Sequence, residues 1–136
     1  MSRRIEEMIK PKRGTLIIEG HYAVHVVPPK DVDLVFVLRR DPRELKEILE
    51  KRSYDQKKIK ENLAAEILDV CLFDAISICG VEKVSEIDTT AKNLLEVADE
   101  IISVVEGKKK RRVGIVDWLG TLEDEGELDD YLKDFN

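Results

Sequence analysis

The run VDLVFVLRR, Val32 to Arg40, is apolar from Leu34 to Leu38, ends on two arginines, and passes straight into Asp41-Pro42. This junction constrains the fold more than any other part of the chain. A short, continuous apolar run suits a strand buried on both faces of a parallel sheet. A strand that turns directly into a helix is the first half of a β-α-β crossover. Asp41 reads as the N-cap, Pro42 as the first helical residue, and Glu44, three after the cap, as the partner in a capping box. A helix is expected from there to about Lys51.

The rest of the chain fits the same scheme. Ile5, Met8 and Ile9 have helical spacing, Pro11 and Gly14 end that segment, and TLIIEG, from Thr15, suits a strand with an acid at its carboxyl end. From Gln56 to Cys79, the residues Ile59, Leu63, Ile67, Leu68, Cys71, Leu72, Ala75 and Ile78 make one stripe, predicting a long amphipathic helix closed by Gly80. KVSEIDTT reads as a short strand. Asn93 with Glu96 offers a second capping box for a helix through about Glu106, and RVGIVDW is a weaker strand-like piece. The expected fold class is therefore α/β, a parallel sheet with flanking helices and right-handed crossovers.

With 136 residues there is room for one domain with a real core. Residues 1–112 are expected to form it, and 113–136 a C-terminal segment with an acidic tail. Glu123, Asp124, Glu125, Glu127, Asp129, Asp130 and Asp134 face only Lys133 there, which accounts for the whole net charge of −6. Just ahead lies KKKRR, Lys108 to Arg112, readable either as a contact for phosphate backbones or as a solvated helix end that complements the helix dipole. Cys71 and Cys79 sit eight residues apart on the expected helix, roughly 12 Å, beyond disulfide reach, and are expected to be ordinary core cysteines. No apolar run approaches a membrane span, and MSRRIEEMIKPKR lacks the apolar segment of a signal peptide. A cytoplasmic location is the expectation.

Ligands in open parallel sheets bind at the carboxyl ends of the strands. Three such ends carry Glu19 and His21, then Arg39 and Arg40, then Asp88, Thr89 and Thr90. A carboxylate for the water shell of Mg²⁺, arginines for phosphate oxygens, and hydroxyls and amides at a turn suit a magnesium-nucleotide site.

The segments IIEGH, VDLVFVLRRDPRELKEILEKRSY, KKIKENLAAEILDVC, EIDTT and RRVGIVDW, in that order and spacing, resemble the archaeal branch of the adenylate-kinase-like family. That family includes the nuclear adenylate kinase linked to small-ribosomal-subunit maturation. The resemblance covers about Ile5 to Trp118. It implies a P-loop-NTPase-like parallel sheet, and activity that transfers the γ-phosphoryl of Mg-ATP to AMP or water. Glu19 falls where the family has its Walker B acid, usually Asp, and would hold Mg²⁺ through water; His21 falls on the histidine of an Asp-x-His pattern associated with catalysis. Arg39 ends the second strand as in the family's Val-Leu-Arg. Arg52 opens a short lid, roughly Lys51 to Glu61, and would contact ATP phosphates as a catalytic residue. Asp88 to Lys92, with Thr90 and Ala91, matches the turn near the adenine. The partners implied are ATP, ADP and AMP, together with a small-subunit ribosomal protein and rRNA.

Two departures bear on the kinase reading. The family has Arg-Leu-x-x-Arg-Gly-Tyr at the lid entrance, where this chain has Ile48 for the first Arg and Ser53 for Gly. The family's G-x-x-G-x-G-K-T phosphate loop and the strand before it have no counterpart, since Gly14 and Gly20 are the only glycines before the lid. The chain is therefore expected to be the C-terminal part of such an enzyme, inactive alone and dependent on an N-terminal half, unless the strands flanking the gap pair directly. A second reading is a non-enzymatic module that binds a ribosomal protein or RNA through KKKRR and the acidic tail.

Overall fold

A computed structural model describes residues 23–132. The expected N-terminal helix, the TLIIEG strand, Glu19 and His21 lie outside the described residues. A short helix α1 (Ala23–Val26) and a 3-10 turn (Pro29–Asp31) lead to strand β1 (Val35–Arg39). Helices α2 (Pro42–Lys51), α3 (Gln56–Ile67) and α4 (Val70–Cys79) follow, then a second 3-10 turn (Val81–Lys83) and strand β2 (Val84–Asp88). Helix α5 (Leu94–Val105), an extended segment, and helices α6 (Trp118–Asp124) and α7 (Leu128–Leu132) complete the described chain.

β1 and β2 pair in parallel, with Val35 opposite Val84 and Arg39 opposite Asp88, so the α/β class and the crossover read from the sequence are present. Residues alternate between faces along a strand. Val35 and Val37 of β1 meet Val84 of β2 and Leu72, Ala75 and Ile76 of α4 in one apolar cluster. The opposite face of β1 is open enough that Leu38 is 51% exposed. Burial of β1 is thus uneven, with Phe36 half-buried and Leu38 exposed on that face, where burial on both faces was expected. The fully buried run is β2, Val84 to Ile87, although it carries Ser85 and Glu86. Its outer edge is covered by the extended segment: Glu86 N–H donates to the Arg112 carbonyl at 2.7 Å. RVGIVDW lies along the sheet through that contact and is not a ladder strand.

Asp41 caps α2 by accepting from the Arg43 N–H at 2.9 Å, but no capping box forms there. Glu44 turns its carboxylate to Arg40 and to the Ala91 N–H. At α5 the expected box is complete, with Glu96 N–H donating to Asn93 Oδ1 at 2.9 Å and Asn93 N–H to Glu96 Oε1 at 3.3 Å. The expected long helix is broken at Asp69, which takes a left-handed φ of 59°. The break rotates α4 relative to α3, so Leu68 and Cys71 are exposed while Ile59, Leu63, Ile67 and Ala75 are buried. Cys71 therefore corrects the expectation of two core cysteines; Cys79 is buried, and both are free.

The acidic C-terminal segment folds back on the domain. Trp118 and Leu122 pack with Ile67, and Tyr131 packs against Leu49, Ile59 and Leu63. Glu125 and Glu127 both pair with Arg43. Among the described residues no helix is long and apolar enough to cross a membrane.

Candidate nucleotide site at the strand ends

The carboxyl ends of β1 and β2 are knitted together by the turn that follows β2. Thr89 donates twice to the Arg39 carbonyl, from N–H at 2.7 Å and from Oγ1 at 2.8 Å. Arg40 Nε donates to Thr89 Oγ1 at 3.2 Å. Thr90 Oγ1 accepts from the Asp41 N–H at 2.8 Å, and the Thr90 N–H donates to Asp88 Oδ1 at 3.0 Å. Ala91 takes a left-handed φ of 57° and donates its N–H to Glu44 Oε2 at 3.0 Å. Thr90 and Ala91 thus stand beside the N-terminus of α2, on a turn whose shape is set by side chains from both strand ends. Thr89, read from the sequence as part of the strand-end turn, and Glu44, read there only as a capping-box partner, do as much to fix it.

Arg39 is placed differently from the expected phosphate contact. Strand alternation puts it on the α4 side, where its side chain is 2% exposed. Its Nε donates to Glu66 at 2.6 Å and its Nη1 to Glu86 at 2.7 Å. Its Nη2 donates both to Asp69 at 2.6 Å and to the Glu66 carbonyl at 2.8 Å. Burial alone would lower its pKa, but the Asp69, Glu66 and Glu86 carboxylates outweigh that and raise it, so the guanidinium is permanently charged. The same acids hold the C-terminal segment: Glu66 accepts from Trp118 Nε1 at 2.9 Å, and Glu86 accepts from the Gly114 N–H at 2.5 Å. One interior cation therefore joins β1, β2, the α3–α4 break and the segment after α5.

Arg52 lies at the other end of α2, about 16 Å from Asp41 at 1.5 Å per helical residue. It is exposed, and its backbone N–H closes α2 on the Ile48 carbonyl. Lys51 to Lys58 are exposed throughout, and Ser53 takes a left-handed φ of 58° where the family carries Gly. The structure thus gathers Arg39, Thr90 and Ala91 near one set of strand ends and sets Arg52 apart from them. Among the described residues no three His, Cys, Asp or Glu side chains come together to hold a metal. Glu19, the residue expected to hold magnesium, lies outside the described residues.

One signal for the interior cluster was in the sequence. Glu86 is an acid in the middle of the short strand VSEID, and a buried carboxylate requires a cation or several donors.

The AAA domain family matches residues 2–69, and the chain belongs to it; with the parallel two-stranded sheet and its flanking helices, this is a P-loop-NTPase-like fold. Within that class, the chain is similar to a set of archaeal proteins each named "Putative adenylate kinase". It is 46% identical to the protein of Methanocaldococcus jannaschii over 110 residues, which are 81% of this chain and 56% of that one. It is 41% identical to that of Pyrococcus furiosus over 129 residues, 95% of this chain and 66% of that one. With the protein of Archaeoglobus fulgidus it shares 39% over 121 residues, 86% and 64%. The chain spans between about half and two thirds of the length of these relatives.

Proposed function

We propose that this chain supplies the C-terminal part of an adenylate-kinase-type enzyme that moves the γ-phosphoryl of Mg-ATP to AMP or to water in the cytoplasm. The same enzyme takes part in small-subunit rRNA maturation, with a ribosomal protein and rRNA as partners. The observation that carries the reading is the turn Asp88–Lys92 locked against the end of β1 and the start of α2, within a chain that belongs to the AAA domain family. Carboxyl ends of parallel strands are where such sheets bind nucleotides.

In this reading Thr90 and Ala91 shape the adenine side, and their rigidity comes from Glu44, Asp88 and the Asp41 N–H. Arg52, on an exposed and adjustable segment, swings to the transferring phosphoryl group and offsets its charge. Catalysis of this kind is mostly positioning and electrostatics, so one guanidinium matters. His21 orients the attacking water or senses the γ-phosphate, and Glu19 holds the water shell of Mg²⁺. The metal, when bound, neutralises charge on the phosphates. Arg39 touches no phosphate and instead positions the strand ends from within.

Calorimetry of this chain with ATP and Mg²⁺ is expected to show no saturable binding; micromolar binding would contradict the dependence on an added phosphate-binding segment. When a segment carrying the family's phosphate loop is supplied, phosphoryl transfer to AMP or ATP hydrolysis is expected to appear. In that reconstituted protein Arg52→Ala should lower the rate at least about tenfold. An unchanged rate removes Arg52 from the site.

A further inference from the structure

The run Lys108 to Arg112 is not a helix end. α5 closes at Gly107, which takes a φ of 77°, and the run continues as extended chain along the outer edge of β2. Its backbone is fixed at both ends. The N–H groups of Lys108 and Lys109 donate to the Ser103 carbonyl at 2.8 and 3.1 Å. The Arg112 carbonyl accepts from Glu86 at 2.7 Å, and Gly114 is held by the Glu86 carboxylate. A pinned, extended run displays its side chains at fixed intervals, about 7 Å between residues on the same side.

Those side chains border a groove of about 600 Å³ whose floor includes Leu34, Val84 and Val104. Lys109, Lys110, Arg111 and Arg112 all line it, and all are exposed. Among the described residues none of these four side chains forms a hydrogen bond or an ion pair. Glu82 is the single acid that lines the groove beside these four cations, so the lining keeps a net positive charge, and Glu125 and Glu127 of the C-terminal segment pair with Arg43. Four unpaired cations pre-arranged in a row on a chain of net charge −6 are costly by self-repulsion. An anionic partner relieves that cost, and little chain entropy is lost on binding because the backbone is already held.

We propose that this groove binds the phosphodiester backbone of a single-stranded RNA. A linear row of cations beside a channel is the arrangement that tracks a nucleic-acid strand. A bilayer surface is flat and would meet only the rim, leaving the recessed Leu34, Val84 and Val104 uncovered, whereas a flexible strand enters. No aromatic residue lines the groove, so binding does not depend on sequence and stays in the range of non-specific complexes, roughly micromolar to tens of micromolar at physiological salt. The inference rests on the RNA-partner part of the functional reading and is independent of phosphoryl transfer.

The test is fluorescence anisotropy of a labelled fifteen-nucleotide RNA titrated with the full chain, without ATP or added segment. The expected log–log salt dependence has a slope of about −2 to −3, from four cations on a single strand. The quadruple variant Lys109→Gln, Lys110→Gln, Arg111→Gln, Arg112→Gln should bind at least about tenfold more weakly with an unchanged circular dichroism spectrum, while Arg111→Lys with Arg112→Lys stays within about threefold. Val81→Glu, at an exposed residue that also lines the groove, should weaken binding several-fold with every cation intact. Equal affinity of the quadruple variant overturns the proposal. So does a Val81→Glu variant that binds normally, which would put the strand outside the groove. Binding to phosphatidylserine vesicles without binding to RNA would assign the run to a membrane surface and overturn it as well.

Discussion

At the scale of single residues, the Arg39 cluster shows why a guanidinium at a strand end need not serve a ligand. Three carboxylates surround it, and removing the cation leaves Glu66 and Glu86 charged in a dry site, a loss of about 3–5 kcal/mol for a broken buried pair. Arg39→Met, close in size, is therefore expected to shift the urea midpoint strongly and to loosen the Trp118 end of the chain. A variant as stable as the parent would return Arg39 to the list of phosphate contacts. Asp41 allows a separate measurement. Its hydrogen bonds from Arg43 hold its carboxyl below the usual carboxylate range, against a smaller opposing effect of burial. A carboxylate with a lowered folded pKa contributes stability that is complete above its unfolded value, about 4, and is lost as pH falls through the lowered one. Asp41→Ala should cost about 1 kcal/mol at pH 7, as the loss of an N-cap does. The gap between parent and variant should narrow toward pH 2. A gap constant across that window would mean that the cap acts without its charge.

At the scale of elements, the sequence was most legible where local chemistry decides. The Asp41-Pro42 start of α2, the Asn93–Glu96 box of α5 and the span of β2 all follow from neighbouring residues. It was least legible where distant residues decide. The break between α3 and α4 is fixed by Asp69 bonding to Arg39, thirty positions away, and no periodicity in KIKENLAAEILDVC announces it. The interior cluster was hidden for the same reason, although Glu86 in the middle of a short strand pointed to it. The folding-back of the acidic segment was equally hidden, because Tyr131 and Leu122 are thinly spread among acids while their sites lie on α2 and α3. α7 clamps the α2–α3 hairpin through Tyr131, whose ring also lies 6.0 Å from Lys46 Nζ. Tyr131 is only half-buried, so Tyr131→Ala should cost about 1–3 kcal/mol, below the value for a fully buried aromatic. Amide exchange at Ile59 and Leu63 should accelerate more than at Val84 or Ile87. Uniform acceleration would show that α7 stabilises the whole domain and not that hairpin.

At the scale of the molecule, the described sheet has two strands, and β1 has no pairing partner but β2 among the described residues. Isolated two-stranded pairs are marginal, and this one draws its stability from α4, the segment beyond α5 and the Arg39 cluster. The other face of β1 presents Leu38, and α5 presents Leu94, Leu95 and Ile102, all more than half exposed. Exposed apolar side chains of this kind suit cover by further polypeptide. The relatives extend well beyond the portion this chain matches. We therefore expect a polypeptide carrying the family's phosphate-loop strand to associate with this chain, pairing along the edge of β1 that no described strand occupies. Leu38→Lys should weaken that association at least about tenfold, since a charge would be buried without a partner. The same substitution should leave the unfolding midpoint of the chain alone almost unchanged, because Leu38 is already 51% exposed. Calorimetric titration of the two polypeptides separates the cases. Undiminished affinity of the Leu38→Lys chain would mean that the added part docks elsewhere, and a fall in the chain's own stability would mean that Leu38 belongs to its present core.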